Sequence, residues 1–248
     1  MNAIMPESDI EHQHSPEAIA ERLEKGPSAN YLSDWVLGGV DGAVTTFAIV
    51  AGVAGASLST NIILILGAAN LLADGFSMAA GNYLGVKAEK DDYERLRQME
   101  HRHIAETPEG EREEIRQIFA AKGFVGEDLE RAVEVITASH ERWVTVMLEE
   151  EHGAPKVAKS AIKAGLTTFV AFFLCGAIPL LPFLFGFPGN ALVAATVMTG
   201  VAFFGIGSMK AKWSTISWQR SGLETFVVGM LAAGFAYAVG MALRGIAG

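Results

Sequence analysis

The chain has 248 residues, half of them in the hydrophobic set, a formal net charge of -9 and a mean hydropathy of +0.30. The acidity argues against a nucleic-acid partner, which would select clusters of Lys and Arg. The mean is positive even though a highly charged stretch is included, so the remainder is too apolar for an ordinary soluble domain, and an integral membrane protein is expected.

In chain order, residues 1–30 form a polar tail without a secretory-signal pattern. Pro16 is placed to open a short helix through Leu23 and Lys25. His12 and His14 read as solvated tail histidines, with metal contact as the alternative. The first spanning segment runs from about Asp34, a candidate N-cap, to Gly55, and Asp41 is the only charge inside it. Its glycines, Gly38, Gly39, Gly42, Gly52 and Gly55, allow close helix approach. After a short uncharged turn, a second segment covers about Ile62–Leu84 and carries Asn70, Asp74, Met78 and Asn82.

Residues 86–157 then hold 18 of the 28 acidic and 11 of the 19 basic residues. Apolar stations predict three helices: 87–106 continuing out of the membrane, one from Thr107-Pro108 to Gly123, and one from Gly126 to Glu151, stopped by Gly153 and Pro155. Three further spans follow, about Ile162–Phe183, Ala191–Met209 and Leu223–Leu243. The single cysteine, Cys175, lies in the first of these and cannot form an internal disulfide.

The expected architecture is therefore all-α. Residues 31–85 supply transmembrane helices 1 and 2, residues 86–157 a three-helix acidic domain, and residues 158–248 transmembrane helices 3 to 5. Lys87, Lys90, Lys156, Lys159, Lys163, Lys210, Lys212 and Arg220 gather on one side, and the two short turns opposite carry no charge. The positive-inside rule then puts the N-terminus and residues 86–157 in the cytoplasm and the C-terminus across the membrane.

The chemistry is concentrated in two places. Asp41 and Asp74 are acids in apolar spans and should face protein or a water-filled path. Asn70, Asp74 and Met78 share a helical stripe that Asn82 continues, offering an amide, a carboxylate and a thioether. In the insert, Glu100 and His103 are spaced i,i+3, Glu111 and Glu114 repeat that spacing, and His140, Met147 and Glu151 share an approximate face. Such pairs build carboxylate-rich transition-metal sites suited to Fe²⁺, Mn²⁺, Co²⁺ or Zn²⁺; acidic solvated helices also contain such pairs without a metal. A membrane-anchored di-iron oxidase and a structural or sensory membrane protein are the alternatives at this level.

The run DWVLGGVDGAVTTFAIVAG at 34–52, ADGFSMAAGNYL at 73–84, Lys87-Ala-Glu and IPLLP at 178–182 resemble the vacuolar iron transporter family (the VIT1/CCC1 type) from about residue 31 onward. The resemblance implies a five-helix homodimer, not an enzyme, that exchanges Fe²⁺, and often Mn²⁺, for protons. Its cytoplasmic insert would gather metal for a path between the subunits, with no prosthetic group. It assigns Asp41 as the acid of the first helix and Met78 as a membrane ligand. Glu100, Glu111 and Glu114 become insert ligands, with Met147 and Glu151 as their partners. Asn70 stands where plant members carry a glutamate, and Asp74, one turn along, supplies a displaced carboxylate. His103 replaces an insert glutamate and joins the metal set.

Overall fold

The computed structural model describes residues 13–26, 28–154 and 159–247. The expectations attached to His12, Pro155 and Lys156 fall outside these residues. The chain divides into two compact units between Asn30 and Tyr31. The first contains α1 (Pro16–Lys25), which opens on Pro16 and is capped by the Ser15 hydroxyl accepting from Ala18 N at 3.2 Å.

Among the described residues of the second unit the regular elements are all helical: α2 (Leu32–Gly55), α3 (Thr60–Glu106), α4 (Pro108–Ala121), α5 (Gly126–Thr137), α6 (His140–Glu150), α7 (Ala161–Ala177), α8 (Leu181–Leu184), α9 (Ala191–Lys210) and α10 (Trp218–Ala247). Among the described residues, five stretches are long and apolar enough to cross a bilayer: α2, α3, Ala161–Leu184, Ala191–Trp213 and α10. Three helices, α4 to α6, separate the second span from the third. The protein is an all-α, integral, multi-pass membrane protein.

α2 is the centre of the membrane bundle, packed on α3, α7, α9 and α10. Its glycines make the α7 contact possible. A Cβ at Gly38 would sit 2.2 Å from the Thr168 carbonyl oxygen, and one at Gly42 would sit 2.3 Å from that of Phe172. Only hydrogen fits there, so the backbones approach as small-residue membrane interfaces do. Phe47, Val50, Leu71, Phe172 and Leu180 fill the core beside this seam. Leu72 and Phe76 on α3, and Val228, Leu231 and Phe235 on α10, are exposed. In water such faces would be a liability; in hydrocarbon they are the expected boundary.

The third span differs from a single helix over 162–183. α7 ends at Ala177, a 3-10 turn covers Ile178–Leu180, and α8 follows. Pro179 and Pro182 each lack the amide hydrogen that an uninterrupted helix would use.

The insert has its own core of Ile104, Ile115, Val133, Trp143, Val144, Met147 and Leu148, flanked by Tyr93, Leu96, Ile118, Phe119 and Ile136. α3 enters it without a break, 47 residues long. The expected single helix from Gly126 to Glu151 is instead two, α5 and α6, because Ser139 is extended (φ -124, ψ 117). The Thr137 hydroxyl donates to Val133 O at 2.9 Å and accepts from Arg112 at 2.7 Å just before the break. The turn lets Val133 and the Trp143–Leu148 stripe face one core, which a straight helix of that length would splay apart. Surface pairs Arg97–Glu141, Arg116–Glu130 and Lys122–Glu150 lace the helices together.

Candidate metal centre

The insert gathers its ligand-type side chains from three helix ends. The outer end of α3 presents Glu100 and His103 one turn apart. α4 presents Glu111 in its first turn and Glu114 one turn on. Glu151 and His152 follow the last turn of α6. Among the described residues two groups result, Glu100–His103–Glu111 and Glu100–Glu151–His152, each with potential ligand atoms within 4.8 Å of one another. Glu100 belongs to both. His152 Nε2 lies 2.8 Å from Glu100 Oε1 and 3.7 Å from Glu151 Oε2, and His103 Nδ1 lies 3.4 Å from Glu111 Oε1.

Glu100 is 1% exposed and Glu111 4% exposed, and the Oε2 atom of each is buried without a hydrogen-bond partner. Buried, unsatisfied carboxylate oxygens are costly, and a cation between them would satisfy both. The crowding has an electrostatic signature. Burial, then Glu114, Glu100 and Glu151, push the Glu111 carboxyl up to about 7. Burial, then Glu151 and Glu100, also raise Glu114, while His103 and His152 oppose the rise. Met147 is fully buried in the insert core, one turn before Glu151.

His140 does not share the Glu151 end of α6. It opens that helix, and its Nε2 lies 2.7 Å from His101 Nδ1 with the rings stacked. The seven residues from His140 to Met147 span about 10 Å of helix, so both ends of α6 cannot serve one ion.

In the membrane, Asp41 on α2 and Asp74 on α3 are electrostatic neighbours, each partly buried. Asn70 crosses to α2, donating to Thr45 Oγ1 at 3.1 Å and Thr46 Oγ1 at 3.2 Å. Thr45 in turn donates to Asp41 O at 2.9 Å, so Asn70 pins the helix turn that carries Asp41. Met78 packs against the membrane core.

Asp34 is not an N-cap. α2 starts at Leu32, and Asp34 lies inside its first turn, 2% exposed. Its Oδ1 accepts from Asn82 Nδ2 at 2.7 Å and from Lys159 Nζ at 2.8 Å. Asn82 Nδ2 also lies 2.7 Å from Thr168 Oγ1, completing a polar cluster among α2, α3 and α7.

Residues 32–241 match the VIT family. The chain belongs to the VIT family. Among its relatives, vacuolar iron transporter 1 of Arabidopsis thaliana is 33% identical over 208 residues, covering 83% of each chain. Vacuolar iron transporter 1 of Oryza sativa subsp. japonica is 30% identical over 235 residues, 94% of this chain and 91% of that one. The vacuolar iron transporter of Toxoplasma gondii is 35% identical over 232 residues, 89% of this chain and 77% of that one. These relatives are transporters, not enzymes.

Within this VIT-family chain, two residues emerge only from the fold. His152 lies beyond the helix that carries its neighbours, and it reaches Glu100 because the insert folds back on α3. A histidine next to the sequence-predicted Glu151 was the available signal. Asp34 resembles a cap in sequence because caps and buried first-turn acids use the same residue type; its partner Lys159 is 125 residues away.

Proposed function

We propose that this VIT-family protein carries a divalent transition-metal cation, Fe²⁺ foremost and Mn²⁺ as well, out of the cytoplasm in exchange for protons. Residues 86–157 act as a cytoplasmic collecting domain between the membrane parts 31–85 and 158–248, with residues 1–30 a cytoplasmic tail and the C-terminus opposite. Glu100, His103, Glu111, Glu114, Met147 and Glu151 capture the ion, joined by His152. Asp41, Asp74 and Met78 receive it in the membrane, in a homodimer.

The observation that carries this reading is α3. One uninterrupted helix bears Asp74 and Met78 in its membrane part and Glu100 and His103 in the insert. Capture and passage thus share a rigid element. The donor set of carboxylates, imidazoles and thioether favours Fe²⁺ or Mn²⁺ over Mg²⁺, which prefers an oxygen shell that keeps its waters. Crowded carboxylates bind either protons or a cation, which gives the exchange its chemistry: protonation from the far side weakens the membrane site and releases the metal.

Proteoliposomes with an imposed pH gradient test the proposal. Fe²⁺ flux should follow the gradient and fall with competing Mn²⁺. Equal flux with and without the gradient would rule out proton exchange.

A further inference from the structure

The buried Asp34 cluster has a composition that transport as described above leaves unused. Asp34 Oδ1 is shared between Asn82 and Lys159, whereas Oδ2 is buried with no partner. A carboxylate with one oxygen unsatisfied retains capacity for a further positive ligand. The amide of Asn82 and the hydroxyl of Thr168 stand beside it. Asn82 lies one turn beyond Met78 on α3, and Asp34 lies seven residues before Asp41 on α2, about 10 Å along the axis. The cluster therefore stands at the insert-side mouth of the stripe that holds Asp41, Asp74 and Met78.

Lys159 alone among the partners is a long, flexible cation. Its ammonium is 2.8 Å from Asp34 Oδ1 and 3.4 Å from Ser33 Oγ, and it lies 5.9 Å from the centre of the Tyr31 ring. It remains partly exposed while Asp34 is buried. A buried carboxylate needs a counter-charge, and an ammonium on a four-carbon stem supplies one that can withdraw into water.

We propose that Asp34 is a divalent-cation position at this mouth and that Lys159 fills it as a tethered competitor, displaced when metal arrives. The inference rests on the transport reading above. Lys159 keeps the carboxylate neutralised between ions and sets the metal concentration at which the mouth opens. If Lys159 holds the position about nine-tenths of the time, the apparent affinity there is about tenfold weaker than the intrinsic one.

Two measurements on the full chain test this. In detergent, Lys159 and the exposed Lys163 are acetylated with an amine-reactive ester and quantified by peptide mass spectrometry, with and without saturating Mn²⁺. Labelling of Lys159 relative to Lys163 should rise several-fold with Mn²⁺; an unchanged or lower ratio overturns the proposal. In proteoliposomes, Lys159→Met should lower the KM for Mn²⁺ by up to about tenfold with little change in kcat. An unchanged KM, or a fall in kcat alone, marks Lys159 as a structural tether and overturns it. Absence of Mn²⁺ flux in the unmodified protein would instead strike the transport reading, and the labelling ratio would still decide the role of Lys159.

Discussion

The insert and the membrane bundle treat negative charge in opposite ways. The insert crowds Glu100, Glu111, Glu114 and Glu151 around two histidines, close enough that Glu111 is pushed up to about 7. The bundle spaces its acids along the helices, with Asp41 and Asp74 neighbouring each other and Asp34 nearer the insert under a lysine. A carboxylate next to lipid is costly enough that few are tolerated, whereas a water-facing domain can hold many at the cost of mutual repulsion. Under the proposed transport, the crowded region would set capture and the sparse region passage.

The test with the largest expected effect separates the two. Asp41→Ala should abolish gradient-driven Fe²⁺ flux in proteoliposomes while calorimetry on the same protein still registers metal binding by the insert. Persisting flux would remove Asp41 from the path. Next, Glu100→Gln should weaken binding by the insert by at least about tenfold, or about 1.4 kcal/mol, because both ligand groups share that carboxylate. Flux at saturating metal should suffer much less; an equal loss of both would merge the two regions into one site. Gly42→Val tests packing instead. With a Cβ 2.3 Å from a backbone oxygen, it should destabilise the bundle by about 1–3 kcal/mol, seen as a lower melting temperature in detergent.

The pH dependence sharpens the comparison further. Glu111 is raised from 4.5 to about 7, so between those pH values the folded insert holds a proton that the unfolded chain has released. Its contribution to stability is present below about 4.5 and is lost as pH rises through 7. Metal-free protein should therefore melt at a lower temperature at pH 8 than at pH 5, with Mn²⁺ restoring the loss. Glu111→Gln should flatten that slope. The smallest effect belongs to Arg116→Ala, which removes an exposed pair with Glu130; solvent screens such a pair, so the melting temperature should barely move and metal binding should be unchanged.

The spanning helices were legible because hydropathy and length act locally; Asp41, Gly38 and Met78 can be placed by counting along a helix. The insert's candidate ligands were legible as pairs, since Glu100 with His103 and Glu111 with Glu114 are one turn apart. What joins the pairs is tertiary. His152 meets Glu100 only after the chain reverses. His140 looks equivalent to Met147 by periodicity, yet it lies at the far end of α6, which begins at His140 after the N-cap Ser139. Lys159 reads as one of several flanking lysines until the fold sets it on Asp34.

α3 also carries a consequence of phase. Its 47 residues contain no hinge between the membrane stripe and Glu100, so the angle between the two faces is a property of residue count alone. One residue inserted near Lys90 would turn the Glu100 face by about 100° and advance it by about 1.5 Å. The helix works as a keyed shaft, and under the proposed transport the number of residues between Met78 and Glu100 would matter as much as the candidate ligands at its two ends.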